Sequence, residues 1–400
     1  MANKFTNNKK VKMISANLAD ACVYTKASRS GLSQEQMAGK KFGTSYTLYL
    51  PGTPKVVNGT TAEPGEVVEI PTEIVLDDDN VSVELSVWEK FGSIDDFQEQ
   101  VAKPYAEGLC RQQEKNIINA NIYKAAQAVV AAAPAYSVIT KSAAALRNLA
   151  ISGEIDMFLS PDVNGEIAES GLSKFNESTI AKKLYNDAYI GRYSGAEVLE
   201  SPDLPEFTTP AEIPAATITL GDPVTDADSN ALGFAEITKV TGTGLKAGLA
   251  YKAAGLKVRD ANGIQTNSDY HVIITSVNAA GTEGYISPLR ITLDGKGYNN
   301  GNAWVPTGTT SLTLVSLLAA STTYYVQSCR AKSGLVFDSY KFLDVPTAEE
   351  EEVASTGNRT LKMRKWGKAE NLNTFMRIDA PYGAGVPDNR ACVVCFVKKS

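Results

Sequence analysis

The first residue to consider for chemistry is His271, because it is the only histidine in the chain. An imidazole can act as the base that activates a serine or cysteine nucleophile. His271 stands between Tyr270 and Val272 in a run that is typical of a β-strand. We therefore interpret it as a strand residue, and a catalytic role for it belongs only to a hydrolase alternative.

Two of the five cysteines form the sequence CVVC, at Cys392 and Cys395. A redox-active pair of this spacing sits at a helix start, where the dipole lowers the thiol pKa, and a zinc site needs further Cys or His ligands. The surrounding run is apolar and strand-like, so we expect buried core cysteines on opposite faces. Cys22, Cys110 and Cys329 are scattered. The cysteines therefore form no disulfide framework and favour a reducing compartment.

Other candidate sites are weaker. Asp77–Asn80 could offer oxygens to calcium, but it lacks the spaced ligands of a calcium loop, so we interpret it as a turn between two strands. The glycines at 242, 244 and 248 match neither a dinucleotide-binding nor a P-loop spacing. The acidic run TAEEEEVASTGN, residues 347–358, is interpreted as a solvated linker. The sequence thus predicts no catalytic residue, no cofactor and no metal.

Composition limits the possible classes. A length of 400 residues favours two or three domains. The net charge of −6, with acidic and basic residues mixed, argues against nucleic acid as the main partner. The sequence contains no run of eighteen apolar residues, so it predicts no membrane span. The lysine-containing start lacks the apolar segment of a secretory signal. We expect a protein made in a cytoplasm.

The first ninety residues contain two patterns. Residues 1–42 read as an N-terminal arm with a short amphipathic helix, in which Ile14, Leu18 and Cys22 are four apart. Residues 43–90 alternate apolar and polar side chains in SYTLYLP and NVSVELSVW, as β-strands do. We predict a long two-stranded excursion, an extended β loop, which needs a partner surface because an isolated hairpin is marginal in water.

A very long helix is predicted next. Ser93 can cap it, and Asp95 and Asp96 follow in the first turn, where the helix dipole favours acidic side chains. Apolar positions then recur at helical spacing as far as Val130. From Pro104 to Val130, a rise of about 1.5 Å per residue predicts a rod of roughly 40 Å.

The rest of the chain predicts an α+β block interrupted by a β domain. Residues 136–206 alternate helices and short strands, and residues 360–400 return to strands. Between them, residues 208–345 are low in charge, with antiparallel strand pairs predicted at 269–293 and 310–334. This β domain is either an immunoglobulin- or fibronectin-like sandwich or a Greek-key barrel. If the closing strands pair with the α+β block, it is an insertion.

The order of arm, β excursion, long helix, α+β block and closing strands resembles the major capsid protein of tailed bacteriophages, the Hong Kong 97-type fold. GRYSGAEVLESPDLP (Gly191–Pro205), preceded by FLSPDVNGEI (Phe158–Ile167), is similar to coat proteins of the short-tailed Salmonella-phage type. FMRIDAPYGAGVPDNRACVV (Phe375–Val394) resembles the closing segment of that branch. The branch also carries an inserted β domain. The resemblance covers 43–206 and 346–400 by pattern, and the insertion by position.

The resemblance implies an α+β capsid fold with an arm (1–42), an extended β loop (43–90), a core (91–207 and 346–400) with spine helix, peripheral and axial domains, and an inserted all-β domain (208–345). It implies a non-catalytic subunit that assembles as pentamers and hexamers into an icosahedral virion shell around DNA, in the host bacterial cytoplasm. The implied partners are scaffolding protein and portal during assembly, and packaged DNA contacted non-specifically, with no membrane. The extended loop would lie over a neighbouring subunit, and its predicted inter-subunit contacts are Tyr46, Leu48, Leu50, Val56, Val57, Val67, Val68 and Ile70.

Two alternatives come from other classes of protein. A surface or adhesin-type binding protein built around a fibronectin-like module would account for residues 208–345, but not for the long helix. A hydrolase with an appended β module would need a catalytic group, and His271 would be its only histidine base.

Overall fold

The computed structural model has an α+β fold with few helices and many strands. It describes all residues except 1–6, 32–43, 52–68, 86–101, 173–190, 222, 226–230, 293–300, 307–308, 341–349, 357–358, 368–373 and 400. The described residues form two compact units, one within Met1–Leu48, Glu73–Ile117 and Leu335–Gly385, the other within Tyr49–Thr72, Ile118–Gly334 and Val386–Ser400. No helix among the described residues is long and apolar enough to span a bilayer.

The helices and strands are numbered in chain order. The helices are α1 (Asn7–Ala21), α2 (Lys103–Asn121), α3 (Tyr136–Asn148) and α4 (Pro161–Leu172). The strands are β1 (Ser45–Pro51), β2 (Glu69–Leu85), β3 (Gln127–Ala131), β4 (Ile155–Leu159), β5 (Arg192–Tyr193), β6 (Ala196–Glu200), β7 (Glu206–Thr208), β8 (Ala216–Thr219), β9 (Pro223–Thr225), β10 (Ala231–Gly242), β11 (Ala250–Arg259), β12 (Gln265–Val277), β13 (Glu283–Thr292), β14 (Ala303–Trp304), β15 (Ser311–Ser316), β16 (Thr323–Ala331), β17 (Val336–Asp338), β18 (Glu350–Thr356), β19 (Arg359–Gly367), β20 (Thr374–Gly385) and β21 (Cys392–Lys398).

A six-stranded sheet with the order β1-β2-β20-β19-β18, in which β17 also pairs with β20, organises the first unit. The apolar face of α1 packs in the same core as α2 and this sheet. Ile14, Leu18 and Cys22 are at most 1% exposed, which confirms the helix predicted from their four-residue spacing. They lie in one cluster with Leu109 of α2 and Ile378 of β20.

The predicted long helix is wrong at its C-terminal end. Helix α2 ends at Asn121, so its 19 residues span about 28 Å. Gln127–Ala131 instead forms β3, which pairs in parallel with Val393–Val397 of β21. The alanine-rich sequence suits a helix, but two adjacent valines suit a strand, and the distant partner strand decides the outcome. Ser93 and the predicted first turn fall outside the described residues.

The acidic run predicted as a linker is in part a strand. Glu350–Thr356 forms β18 and pairs antiparallel with β19. Ala354 is buried in the core of the first unit. Glu351 forms an ion pair with Lys362 at 3.0 Å, and the Lys362 side chain is only 1% exposed. The acidic run is therefore not only a solvated segment, because Glu351 balances the charge of a buried ammonium group.

A seven-stranded sheet with the order β3-β21-β16-β4-β6-β5, in which β7 also pairs with β16, organises part of the second unit. Helix α3 covers it with Val138, Ile139 and Leu146, all fully buried. The predicted helix before Gly153 and the predicted strands at β4 and β6 are confirmed. Ser194 and Gly195, both at positive φ, form the two-residue loop between β5 and β6, as tight hairpins of this length require.

The strand pair predicted at 310–334 does not exist as a pair. β15 lies in an eight-stranded sheet, whereas β16 lies at the centre of the seven-stranded sheet between β21 and β4. β17 lies in the six-stranded sheet of the first unit. The eight-stranded sheet thus ends at Ser316, and the predicted β domain of 208–345 includes strands of other sheets. Strand periodicity identifies a strand but not its partner, so the boundary could not be read correctly from sequence.

Six strands of the eight-stranded sheet close into a Greek-key barrel. β10 pairs with β13, β13 with β12, β12 with β11, β11 with β15, β15 with β8, and β8 again with β10, all antiparallel. The consecutive strands β11, β12 and β13 lie side by side, and β10 lies next to β13, which is Greek-key order. The sequence left open a sandwich or a Greek-key barrel. The closed ring of strand pairs identifies a barrel, because the two sheets of a sandwich would keep open edges.

Two isoleucines near β12 offer a matched test of this barrel core. Ile274 is fully buried in the barrel, whereas Ile264, directly before β12, is 57% exposed. We expect Ile274→Ala to lower the free energy of unfolding by about 2–5 kcal/mol, because it removes buried methyl groups and leaves a cavity. Ile264→Ala should change it by less than about 0.5 kcal/mol. Denaturant unfolding of the full chain measures both, and equal effects would contradict the described core.

Candidate functional site

His271 has a structural role at the edge of the seven-stranded sheet. The Ala128 backbone N–H on edge strand β3 donates to His271 Nδ1 at 2.8 Å, and the His271 backbone N–H donates to the Ala126 carbonyl at 3.1 Å. Burial lowers the pKa of His271 to about 4, so the ring is neutral near pH 7 with its proton on Nε2. The imidazole ring thus accepts a hydrogen bond from a backbone N–H that an edge strand would otherwise leave without a partner. The prediction that His271 lies on a strand is confirmed.

Cys392 and Cys395 are core thiols on β21, as predicted. The Cys392 thiol donates to the Gly334 carbonyl at 3.4 Å, and Cys395 Sγ lies 2.8 Å from Ser142 Oγ on α3. Burial raises the pKa of each thiol to about 12. Such thiols stay protonated near neutral pH and are poor nucleophiles.

The prediction of a turn at Asp77–Asn80 is wrong. The run lies inside β2, and Asp77 and Asp79 stand opposite Tyr382 and Ala380 of β20. The Asn116 amide on α2 donates to Asp79 at 3.0 Å. A polar run usually marks a turn, but here partners on other elements satisfy the carboxylates within a strand.

Asp78 belongs to a charge network across β2, β20 and β19. Asp379, which is fully buried, accepts hydrogen bonds from Arg377 and, at 2.8 Å, from Arg364 Nε. Arg377 also forms an ion pair with Asp78 at 3.3 Å. Burial raises the pKa of Asp78 most, and the negative charge of Asp379 raises it further, to about 7. The positive charge of Arg377 opposes this shift but does not cancel it. Two carboxylates therefore share the charge of Arg377 in the middle of this sheet.

The predicted inter-subunit contacts lie on β1, on β2 and outside the described residues. Tyr46 and Ile70 are each only 9% exposed, and the Tyr46 hydroxyl donates to Asp338 on β17. Leu48 and Leu50 are half-buried. Val56, Val57, Val67 and Val68 lie outside the described residues. Contact by this set with a neighbouring copy stays a prediction, and the burial of Tyr46 and Ile70 leaves little of their surface for one.

Two exposed apolar residues were missed by the sequence reasoning. Tyr49 on β1 is 59% exposed, and Val75 on β2 is 64% exposed. Both alternate with residues that face inward, since Leu48 and Leu50 flank Tyr49 and the buried Ile74 precedes Val75. The signal was available in SYTLYLP, where Tyr49 is apolar on the face opposite Tyr46. The two strands therefore present apolar side chains outward as well as inward.

Comparisons with known proteins find structural similarity only. No family model matches the chain, and no curated protein matches it by sequence. Similar solved structures include a chain of Mycobacterium phage Che8, with 11% identity, a TM-score of 0.45, and coverage of 94% of this chain and 90% of that one. The capsid of Cyanophage P-SCSP1u has 11% identity and a TM-score of 0.44, and the match covers 95% of this chain and 89% of that one. The capsid of Ralstonia phage GP4 has 6% identity and a TM-score of 0.46, with coverage of 95% of this chain and 92% of that one. At such identities and TM-scores, a likeness assigns no function to this chain.

The charge network predicts an unusual pH dependence. The pKa of Asp78, about 7 in the folded chain, lies above its ordinary value of 3.8, so the folded state binds this proton more tightly than the unfolded state. The contribution of Asp78 to stability is present below pH about 4 and is lost as pH rises through about 7. We expect Asp78→Asn to stabilise the chain at pH 8 by on the order of 1 kcal/mol, a value reduced for solvent screening.

Unfolding by denaturant at pH 5 and pH 8 measures this effect. Glu107→Gln, at an exposed position of α2, removes a carboxylate charge outside the network and is the matched control. If Asp78→Asn and the wild type lose stability equally between the two pH values, Asp78 does not carry the effect.

Proposed function

We propose that this chain is the major capsid protein of a tailed bacteriophage, a non-catalytic shell subunit with the Hong Kong 97-type fold in the short-tailed Salmonella-phage branch. The observation that carries this proposal is the position of Phe375–Val394, whose sequence resembles the closing segment of that branch. This stretch forms most of β20 and the start of β21. β20 pairs with β2 and β19, and β21 pairs with β3 and β16, so the closing segment contributes central strands to two sheets.

The order of the other elements supports the same proposal. An arm helix (α1), paired strands β1 and β2, a long helix (α2) and an α/β sheet follow one another in the order that the resemblance implies. Gly191–Pro205, the second stretch that resembles the capsid branch, contains the tight β5–β6 hairpin. We infer that α2 is the spine helix, although it is shorter than the predicted rod.

We further propose that the barrel is an inserted module. Thr208 on β7 stands opposite Thr323 on β16, so the chain leaves and re-enters the seven-stranded sheet at neighbouring positions. The Thr209 backbone N–H donates to the Thr322 carbonyl at 2.9 Å, and Thr209 Oγ1 donates to the Ala319 carbonyl at 2.7 Å. Adjacent ends let a module be present without disturbing the strands on either side.

The partners follow from the proposed function. The subunit would form pentamers and hexamers with copies of itself, through heterologous contacts that close into rings. Scaffolding protein and portal would bind during assembly in the host cytoplasm, and packaged DNA would touch the inner wall without sequence preference. The net charge of −6 would limit the retention of DNA on that wall.

Within this proposal, β1 and β2 form the extended loop that a neighbouring copy covers. Tyr49 and Val75 would join the half-buried Leu48 and Leu50 in that contact. An isolated apolar residue on a surface is ordinary, but here two of them lie on the pair of strands that the resemblance assigns to inter-subunit contact. Burial of each on assembly would supply favourable free energy that a lone subunit does not gain.

Assembly of the purified chain tests the proposal. We expect electron microscopy and sedimentation, with and without a candidate scaffolding protein, to show rings of five or six subunits or closed shells. Tyr49→Asp and Val75→Asp should each reduce the assembled fraction at least about tenfold, because burying an unpaired carboxylate costs more than 1.4 kcal/mol per contact.

Tyr49→Phe and Val75→Ile keep the apolar surface and are the matched controls. Unfolding midpoints near that of the wild type would show that the aspartate variants still fold. Aspartate variants that assemble normally would exclude Tyr49 and Val75 as contact residues. A wild-type chain that stays monomeric under every condition would refute the capsid proposal and favour a binding protein.

The role of the barrel can be tested by a deletion with exact ends. Removing 210–345 would also remove β16 and β17, and would disrupt two sheets for that reason alone. Replacing residues 210–321 by a short glycine linker keeps the pairing of β7 with β16. If the barrel stabilises contacts within or between capsomers, this variant should yield misassembled particles. Shells of normal size and number would refute that role.

A further inference from the structure

Two cysteines and a glutamate converge in the core of the first unit. Cys22 follows directly after α1, and Cys110 and Glu114 lie one turn apart on α2. All three are buried, with exposed fractions of 1%, 5% and 4%. The two sulfur atoms and a carboxylate oxygen lie within 4.8 Å of one another. The residue directly after α1 and two residues of α2 thus place three possible metal ligands close together.

The ligand set suits a borderline-soft divalent cation such as Zn²⁺. Thiolate sulfur binds zinc at about 2.3 Å and carboxylate oxygen at about 2.0–2.2 Å, usually in tetrahedral geometry. Ligand atoms around such an ion lie roughly 3.5–4 Å apart, so atoms already within 4.8 Å need only small side-chain shifts. Thiolates disfavour magnesium and calcium, which take oxygen ligands.

Neighbouring residues hold the carboxylate in place. Glu114 Oε1 accepts hydrogen bonds from the Thr25 backbone N–H at 3.0 Å and from Thr25 Oγ1 at 3.3 Å. The Arg359 guanidinium donates to Thr25 Oγ1 and to Gln113 Oε1. The Val23 backbone N–H also donates to the Glu114 carboxylate. A carboxylate has about four acceptor positions, so these three bonds still leave one for a metal. Outer hydrogen bonds of this kind orient ligands at metal sites.

Charge balance also permits a dication here. The positive charge of Arg359 favours the ionised form of the Glu114 carboxyl group. Binding of one dication with release of two thiol protons leaves the cluster at the same net charge, because two thiolates balance the ion. A buried cluster therefore gains no uncompensated charge, which would be costly in the interior.

We propose that Cys22, Cys110 and Glu114 bind one Zn²⁺ ion, with water in the fourth position. The ion would join the end of α1 to the middle of α2. The site would stabilise the packing of α1 against α2. It is independent of the capsid proposal, because it depends only on contacts within one unit of the chain.

Cobalt titration of the full-length chain tests this proposal. The protein is reduced with a phosphine, freed of metal with a chelator, and titrated with Co²⁺, whose thiolate complexes absorb in the near ultraviolet. We expect one Co²⁺ per chain with a thiolate-to-cobalt band that Zn²⁺ displaces. Cys22→Ser and Glu114→Gln should each weaken binding at least about tenfold.

Cys329→Ala, at a buried cysteine of β16 outside the cluster, is the matched control and should bind Co²⁺ as the wild type does. If a cluster variant fails to fold, the wild-type titration still decides the matter. Absence of the band in the folded wild type would overturn the proposal. So would a band that persists in Cys22→Ser, or a Cys22–Cys110 disulfide in a chain that binds no metal after reduction.

Discussion

The second unit depends on the central position of β16. This strand pairs with β21 on one side and with β4 and β7 on the other, and all of its residues from Tyr324 to Ala331 are buried. Its partners come from widely separated parts of the sequence, so the sheet can form only after long stretches of chain have been brought together. Such non-local pairing has an entropic cost, which the burial of the apolar side chains of this sheet must offset. The pairing of β7 with β16 also places the two ends of the chain segment that forms the barrel next to each other.

Buried polar groups carry much of the specificity of the packing. In the second unit, the Asn389 amide donates to the Tyr270 hydroxyl at 2.7 Å and accepts from the Asn302 amide at 3.0 Å. This links the segment before β21 to the barrel. In the first unit, Asp379 and its arginine partners join three strands. A buried polar group without partners costs about 1–3 kcal/mol, so each network disfavours any register that would break it.

Local pattern in the sequence predicts the elements better than it predicts their partners. The periodicity of α1, the alternation of β12 and β13, and the apolar runs of β4 and β21 all indicate the observed elements. β3 could not be predicted, because its alanine-rich sequence suits a helix until β21 pairs with it. The ionic partners of Asp78 and the convergence of Cys22, Cys110 and Glu114 depend on contacts far apart in sequence. The hydrogen bond from Tyr46 to Asp338 is likewise not visible in any local pattern of the sequence.

A cryo-electron microscopy reconstruction of the assembled full-length chain would show whether the chain is a shell subunit. We expect a closed shell of pentamers and hexamers in which β1 and β2 of each subunit lie against a neighbouring copy, with Tyr49 and Val75 covered. Particles in which these two residues face solvent, or a chain that yields only monomers, would contradict it.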